Sequence, residues 1–410
     1  MKKKEIVLYT DPQSMMPLFP EREEGVKSLA LELTRRTSSL SALLHPHTRK
    51  AIALLLEPMN SYYSNLIEGH NTHPLDIEKA LKQDYSNEPK KRELQLESFA
   101  HVKTQKKMKR LLSESTMPVC SSTFIKWLHK EFYDDMPEEF RFSKTKEGNR
   151  IAVTPGEFRE GEVYVNHHIA PAAIAVPAFL EHFSEVYDPD KTTDLLKRVI
   201  AIAASHHRLA WVHPFQDGNG RVVRLYSEAL FIKEGLDANG LWCISRGLAI
   251  HNKEYYSSLH NADLERQGDY DGRGNLSNKF LLEFCEFFLK TALDQVEFMS
   301  NLLDLDSILN RISKYVDLMS IQKEMMPEAK YILQGAFLKG KVERGEALRL
   351  TGKKETMARK AMKQLVDEGL LIPREGEIKG DLYINFPVKV APYFFPRLYP
   401  KDIEATLMME

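Results

Sequence analysis

Two apolar helical stretches, residues 192–210 and 219–235, are joined by the short run Pro214-Phe215-Gln216-Asp217-Gly218-Asn219-Gly220, and this junction constrains the fold more than any other feature. The first stretch is rich in Leu, Ile, Ala and Val, as a helix buried on all sides requires. Pro214 ends it near Trp211. The two glycines then let the backbone bend so that N–H groups at the head of the second helix converge on one point. A chain built around such a pair is mainly α.

The same helical spacing runs through most of the sequence. It predicts helices over residues 24–44 and 48–70, parted by His45-Pro46-His47, and a polar helical stretch over 75–113. Further helices are expected over 121–134, 172–187, 251–265 and 276–318. Residues 150–154 and 162–165 alternate or run β-branched, with Pro155-Gly156 and Glu160-Gly161 as turn signals between them. They predict a β-hairpin, followed by the loop Asn166-His167-His168-Ile169-Ala170-Pro171.

Near residues 318–328, Met326-Pro327-Glu328 breaks the pattern and suggests a boundary. Short helices over 329–338, 343–350 and 354–368 follow, with Thr351-Gly352 as a turn and Gly369 as a stop. Strands near Leu371-Ile372 and Leu382-Tyr383-Ile384 flank Glu375-Gly376-Glu377. That order matches a winged helix-turn-helix. The expected division is an N-terminal helical region over 1–115, a core over 116–318 and a winged-helix unit over 325–410, in keeping with two or three modules for 410 residues.

A formal net charge of −1 gives no overall attraction to nucleic acid or membrane. Cys120, Cys243 and Cys285 are far apart and odd in number, which argues against a disulfide framework and fits a reducing cytoplasm. The basic start Met1-Lys2-Lys3-Lys4 meets Glu5 and Asp11 before any useful apolar run, unlike a signal peptide, and no stretch approaches the length of a membrane helix.

The loop carries one residue for each task of phosphate transfer. Gly218, Asn219 and Gly220 form an anion cradle at a helix N-terminus, and Asp217 is a hard oxygen ligand for Mg²⁺ bridging phosphates. Arg221 and Arg224, three apart, project from one side and can hold phosphate oxygens. His213 can take a proton from an incoming hydroxyl. The bland alternative is a glycine turn with two surface arginines.

Residues 213–224, His-Pro-Phe-Gln-Asp-Gly-Asn-Gly-Arg-Val-Val-Arg, resemble the Fic family motif H-P-F-x-D-G-N-G-R-x-x-R at every fixed position. The resemblance implies a helical core with a small hairpin flap, and transfer of AMP from ATP to a Ser, Thr or Tyr hydroxyl of a protein. It makes His213 the general base, Phe215 the loop's anchor, Asp217 the Mg²⁺ ligand, and Asn219 with Gly218 and Gly220 the cradle. Arg221 would bind the β-phosphate and Arg224 the γ-phosphate. A kinase-like branch carries Lys where this chain has Gly220, so Gly220 favours nucleotidyl transfer.

Upstream, Ser64-Asn65-Leu66-Ile67-Glu68-Gly69 resembles the family's inhibitory motif [S/T]-x-x-x-E-[G/N], within an inhibitory helix around residues 55–70. Ser64 and Glu68 share a helical face, Gly69 can end the helix, and a carboxylate aimed at Arg224 would displace the γ-phosphate. Val165, Asn166, His167 and His168 fall at the flap, which registers a target's backbone. The pairs His167-His168 and His206-His207 make poor joint metal ligands, because neighbours on a helix or strand face apart. Tyr255 and Tyr256 resemble the aromatic pair lining the nucleoside pocket, and Asp263 stands where relatives often carry Asn.

Across residues 337–364 nine basic residues (Lys339, Lys341, Arg344, Arg349, Lys353, Lys354, Arg359, Lys360, Lys363) face three acidic ones (Glu343, Glu346, Glu355), the footprint of contact with DNA phosphates. Docking or dimerisation would use the same unit, and relatives commonly dimerise. Two other functions stay open here: a DNA-binding regulator that uses the site as a nucleotide sensor, and an enzyme that removes AMP from modified protein.

Overall fold

The structure, a computed structural model, describes residues 8–21, 23–144, 148–165, 168–374 and 380–409. The expectations for residues 1–7, for Asn166 and His167 of the flap, and for the turn Glu375-Gly376-Glu377 lie outside the described residues.

Helices α1 (Glu24–Ala42) and α2 (Pro46–Ile67) flank the His45-Pro46-His47 break. Pro46 sits in the first turn of α2, where a missing N–H has no intrahelical partner to lose, and the His45 ring accepts from the His47 N–H. From Leu55 onward α2 is buried on almost every face. It ends with Glu68 as C-cap and Gly69 at φ +83°, which lets the His70 N–H return to the Asn65 carbonyl at 2.9 Å.

The polar stretch read as one helix over 75–113 is two, α3 (Pro74–Leu81) and α4 (Pro89–Glu114). Gln83 adopts φ +62°, and the loop after it wraps the Gln95 amide, which accepts from Ser86 N–H at 2.7 Å and donates to the Asp76 and Asp84 carbonyls. Pro89 then opens α4. Helix α5 (Ser122–Asp134) follows, capped by the Ser121 hydroxyl.

The hairpin expected between residues 150–154 and 162–165 does not form. Strand β2 (Arg150–Ala152) pairs instead with β1 (Phe142–Lys144), and β3 (Tyr164–Val165) pairs with β4 (His168–Ile169), both antiparallel. Between β2 and β3 the chain runs beneath the central loop, where Arg159 binds it. Side-chain and backbone contacts to another part of the chain therefore replace the ladder that local alternation implied.

Helix α6 (Val176–Tyr187) leads to the central pair α7 (Leu195–Val212) and α8 (Asn219–Lys233). α7 packs against α1, α6, α8 and the long α11 (Asn278–Leu302), which accounts for its apolar sequence on all sides. Between α8 and α11 lie α9 (Ile244–Ile250), absent from the expectations, and α10 (Asn252–Ala262). The single helix expected over 276–318 breaks after Leu302, because Asp304 caps a new helix, α12 (Leu305–Ile321), by accepting from Ser307 N–H at 3.0 Å.

The C-terminal elements run α13 (Ala329–Lys339), β5 (Lys341–Val342), α14 (Glu346–Thr351), α15 (Glu355–Asp367), β6 (Leu371–Pro373) and β7 (Leu382–Ile384), with sheet order β5-β7-β6. Short helices α16 (Ala391–Phe394) and α17 (Lys401–Leu407) close the chain. One apolar cluster extends from Met15 to Leu407, so this unit shares a core with the rest. It also grips α2: Thr48 donates to the Phe337 carbonyl at 2.6 Å and Tyr63 to the Leu398 carbonyl at 2.9 Å. Arg246 fixes the same C-terminal turn through the Arg397 carbonyl at 2.6 Å while lying 3.7 Å over the Phe298 ring.

Of the nine basic residues counted over 337–364, Lys339 and Arg349 pair with Glu346, Lys341 with Asp381, Lys353 with Glu328 and Arg359 with Glu355, so much of that charge is locally neutralised. No helix among the described residues is long and apolar enough to cross a membrane.

His101, His129 and His206 are fully buried within this fold. Burial pushes the imidazoles of His101 and His129 down to about 3, and burial with the nearby Arg224 charge pushes His206 well below its ordinary value. Below about pH 6.5 the unfolded chain therefore takes up protons that the native state refuses, and each such histidine costs up to about 1.4 kcal/mol of stability per pH unit. Gln105 lies against the His101 ring without closing a well-formed hydrogen bond to either nitrogen. His101→Phe should flatten the fall in stability between pH 6.5 and 5 by about one proton, as read from urea midpoints across pH.

Candidate active site

The central loop begins with strain. α7 closes on His213, which sits in the left-handed region at φ 50° and ψ 61°, a conformation uncommon for a residue that carries a Cβ. Arg159 holds it there. This residue, 4% exposed, donates from Nε to the His213 carbonyl at 2.8 Å, and its guanidinium also reaches the Gly161 and Pro171 carbonyls. Its own N–H donates to the Pro214 carbonyl at 2.9 Å.

Phe215 is fully buried and stacks on the His129 ring at 3.9 Å with the planes 7° apart. His129 Nδ1 accepts from Gly156 N–H at 2.9 Å, so its Nε2 carries the hydrogen and donates to the Asp217 carbonyl at 3.2 Å. Asn219 closes the loop: its Oδ1 accepts from Phe215 N–H at 2.9 Å and its Nδ2 donates to the Phe215 carbonyl at 2.8 Å. Its amide side chain is thereby committed to the loop, and only its backbone N–H is left for the cradle read from the sequence. Gly218, at φ +78°, is the N-cap of α8 and offers no capping side chain, so the first N–H groups of the helix face outward.

The two arginines diverge. Arg224 donates from Nε to the Ser64 hydroxyl and from Nη2 to the Ser64 carbonyl, both at 2.9 Å, and Nη2 meets the Glu68 carboxylate at 2.6 Å. Burial would raise the Glu68 carboxyl, but Arg224 and then Arg221 outweigh it and hold the group below its usual value. A Cβ on Gly220 would collide with Glu68 Oε1, so this carboxylate lies directly on the first turn of α8. Arg221 turns away to the Glu97 carboxylate of α4 and to the face of Phe132, 4.9 Å from its ring centre. Glu97 in turn binds the His70 ring at 2.6 Å.

A cavity of about 760 Å³ opens beside this pair, lined among others by Glu68, His213, Arg224, Tyr255, Tyr256 and Asp263. Asp217, Gly218 and Arg221 do not line it. Tyr256 donates to the Ile67 carbonyl at 3.1 Å, joining the cavity wall to the end of α2, and Tyr255 meets His206 Nε2 at 2.8 Å. Asp263 faces His207 at 3.1 Å and His168 at 3.4 Å. Burial would raise its carboxyl, but His207 and His168 keep it low. His206 and His207 thus point to different partners, as adjacent helical positions must.

Burial first, then the neighbouring His168, brings the His213 imidazole down to about 4, so the ring is uncharged at neutral pH and free to accept a proton. Asp217 accepts from Gly218 N–H at 2.7 Å through one oxygen and is 41% exposed on its side chain. Among the described residues no three His, Cys, Asp or Glu side chains cluster as a metal cage. A lone hard carboxylate beside an anion cradle suits Mg²⁺ that takes its other ligands from phosphate and water.

Of the flap residues, Val165 and His168 form the paired backbone, and the His168 ring sits 2.8 Å from the Trp211 carbonyl. Sequence reasoning did not find Arg159, His129, Glu97 or Tyr133. Nothing in the local pattern distinguishes them from ordinary helix and loop residues.

Residues 119–230 match the Fic/DOC family. A protein adenylyltransferase Fic from Nematostella vectensis is 27% identical over 174 residues, 42% of this chain and 37% of that protein. Another from Aedes aegypti is 38% identical over 88 residues, 22% of this chain and 17% of that protein. The chain thus spans well under half the length of these relatives. The crystal structure of a Fic domain containing signaling protein from Bacteroides thetaiotaomicron superposes with a TM-score of 0.50 at 20% identity, over 66% of this chain and 95% of that one, a likeness of fold. Residues 119–230, which hold His129, Arg159 and the loop from His213 to Arg224, are a Fic/DOC family domain.

Proposed function

We propose that the protein is an adenylyltransferase that moves AMP from ATP to a Ser, Thr or Tyr hydroxyl of another protein or of itself, and that its own α2 holds it off. One observation carries this reading: Glu68 lies 2.6 Å from Arg224, at the head of a helix otherwise built to receive phosphate. The name of the matched relatives, protein adenylyltransferase, supports the same chemistry.

In this reading the nucleoside enters the cavity with its base against Tyr255 and Tyr256 and with Asp263 facing base or ribose. The phosphates cross the first N–H groups of α8, with Arg221 on the β-phosphate and Arg224 on the γ-phosphate. The target's backbone aligns along the strands that carry Val165 and His168. Its hydroxyl oxygen attacks the α-phosphorus, the proton passes to His213, the bond from that phosphorus to the bridging oxygen breaks, and pyrophosphate leaves. Mg²⁺ held by Asp217 and phosphate oxygens would neutralise charge on the leaving group. While Glu68 occupies Arg224, the γ-phosphate lacks its partner and the α-phosphorus is out of line for attack.

The test is incubation with Mg²⁺ and ATP labelled at the α-phosphate, then at the γ-phosphate. Glu68→Gly should raise protein-bound α-label at least about tenfold, and His213→Ala in that background should abolish it. Label from the γ-position alone would mean a kinase, and no label from either would leave a nucleotide sensor. Arg159→Ala leaves every reacting group in place but releases the strained His213 backbone. It should lower kcat about a hundredfold in the Glu68→Gly background with KM for ATP little changed, and an unchanged kcat would remove its positioning role.

A further inference from the structure

Tyr133, on α5, is 2% exposed, and its buried hydroxyl lies beside the Asp217 carboxylate without closing a well-formed hydrogen bond to it. Buried hydroxyls are nearly always well paired, so one short of a good bond invites a partner that the protein alone does not supply. The ring is not free to turn toward one elsewhere: it lies at 4.7 Å from the His129 ring and edge-on to Phe132 at 5.1 Å.

The direction of the hydroxyl is set by Gly218. A Cβ built on that glycine would fall 2.8 Å from Tyr133 Cε2 and 3.0 Å from its hydroxyl oxygen. Tyr133 therefore roofs the N-cap of α8, a helix of 15 residues whose first turn has no side-chain cap. The neighbouring Asp217 carboxylate is taken up by the Gly218 N–H at 2.7 Å. The Tyr133 O–H and the first turn of α8, which no side chain caps, thus meet beside Asp217, at residues that do not line the nucleoside cavity. Donors from two directions, with the positive end of a helix behind them, suit an anionic oxygen.

We infer that the Tyr133 hydroxyl is a substrate-binding donor, reading a phosphate oxygen of a nucleoside di- or triphosphate laid across Gly218. The inference rests on the nucleotide reading above. It adds a contact from α5 that the loop motif does not contain, and it makes the diphosphate part of the ligand, not its base, the group that α5 recognises.

Calorimetry on the full-length Glu68→Gly protein with Mg²⁺, using ADP and adenosine as separate probes, tests it. Adding Tyr133→Phe should weaken ADP about tenfold, about 1.4 kcal/mol, with adenosine affinity unchanged. Equal ADP affinity with and without the hydroxyl overturns the assignment and leaves the Asp217 carboxylate as the hydroxyl's partner. Equal losses for ADP and adenosine, with a lowered Tm, also overturn it, because the ring would then be acting through packing. If the Glu68→Gly protein binds neither probe, the nucleotide reading itself fails and Tyr133 falls with it. ADP binding that ignores the hydroxyl removes Tyr133 alone.

Discussion

The contact between Glu68 and Arg224 joins the C-terminus of one helix to the N-terminal turns of another, and the rest of the site is arranged around it. A carboxylate at the end of its own helix meets the negative end of that helix's dipole, so Glu68 is poorly placed with respect to α2 alone. What stabilises it is α8: the positive end of that helix, the bare surface at Gly220, and the guanidinium of Arg224. These are the features that would attract a phosphate. The carboxylate is held by the electrostatics that favour any anion at this helix head, so under the proposed function inhibition and substrate binding would draw on the same attraction.

The position of Glu68 is set by more than its charge. α2 is buried among α4, α8, α9 and the C-terminal unit, with Thr48 and Tyr63 hydrogen-bonded to that unit near each end and Tyr256 bonded to the Ile67 carbonyl. Shifting the helix as a body would break contacts on every side. Beyond Ile67 the constraint ends, since Glu68 is already outside the helix and Gly69 follows in a left-handed turn. Freeing Arg224 therefore involves a new side-chain rotamer of Glu68 or a loosening of this last turn, both local, while the scaffold stays fixed.

How much of this was legible in the sequence depended on how far apart the cooperating residues lie. His213, Asp217, Arg221 and Arg224 stand within twelve positions, so their placement together on one loop and one helix could be expected from spacing. Ser64 and Glu68 share a turn, but that spacing alone is common to any solvated helix, and what singles them out is their resemblance to an inhibitory motif paired with the downstream loop. Arg159 and His213, His129 and Asp217, and Glu97 and Arg221 are separated by 54, 88 and 124 residues, and no local period announces such pairs. The strands failed for a related reason. β2 and β3 each hold two or three residues, too few for alternation to specify a partner, and the pairing was decided by Arg159 and the loop it supports. The long helices were legible because burial imposes a period over many residues, whereas their ends were set by single caps such as Asp304 and by the side-chain bonds of Gln95.

The two motif arginines are both buried and both face a carboxylate from outside the motif, Glu68 in one case and Glu97 in the other. An uncompensated guanidinium in that environment would be strongly destabilising. Each of these buried guanidinium groups therefore needs the carboxylate it faces. Glu97 is anchored on α4 and tied to His70, so it remains with Arg221 and orients it. Glu68 sits at the end of a helix with a glycine behind it, so it can yield. Glu68 and Glu97 make the same kind of ion pair, and what separates them is how firmly the backbone beneath each is held.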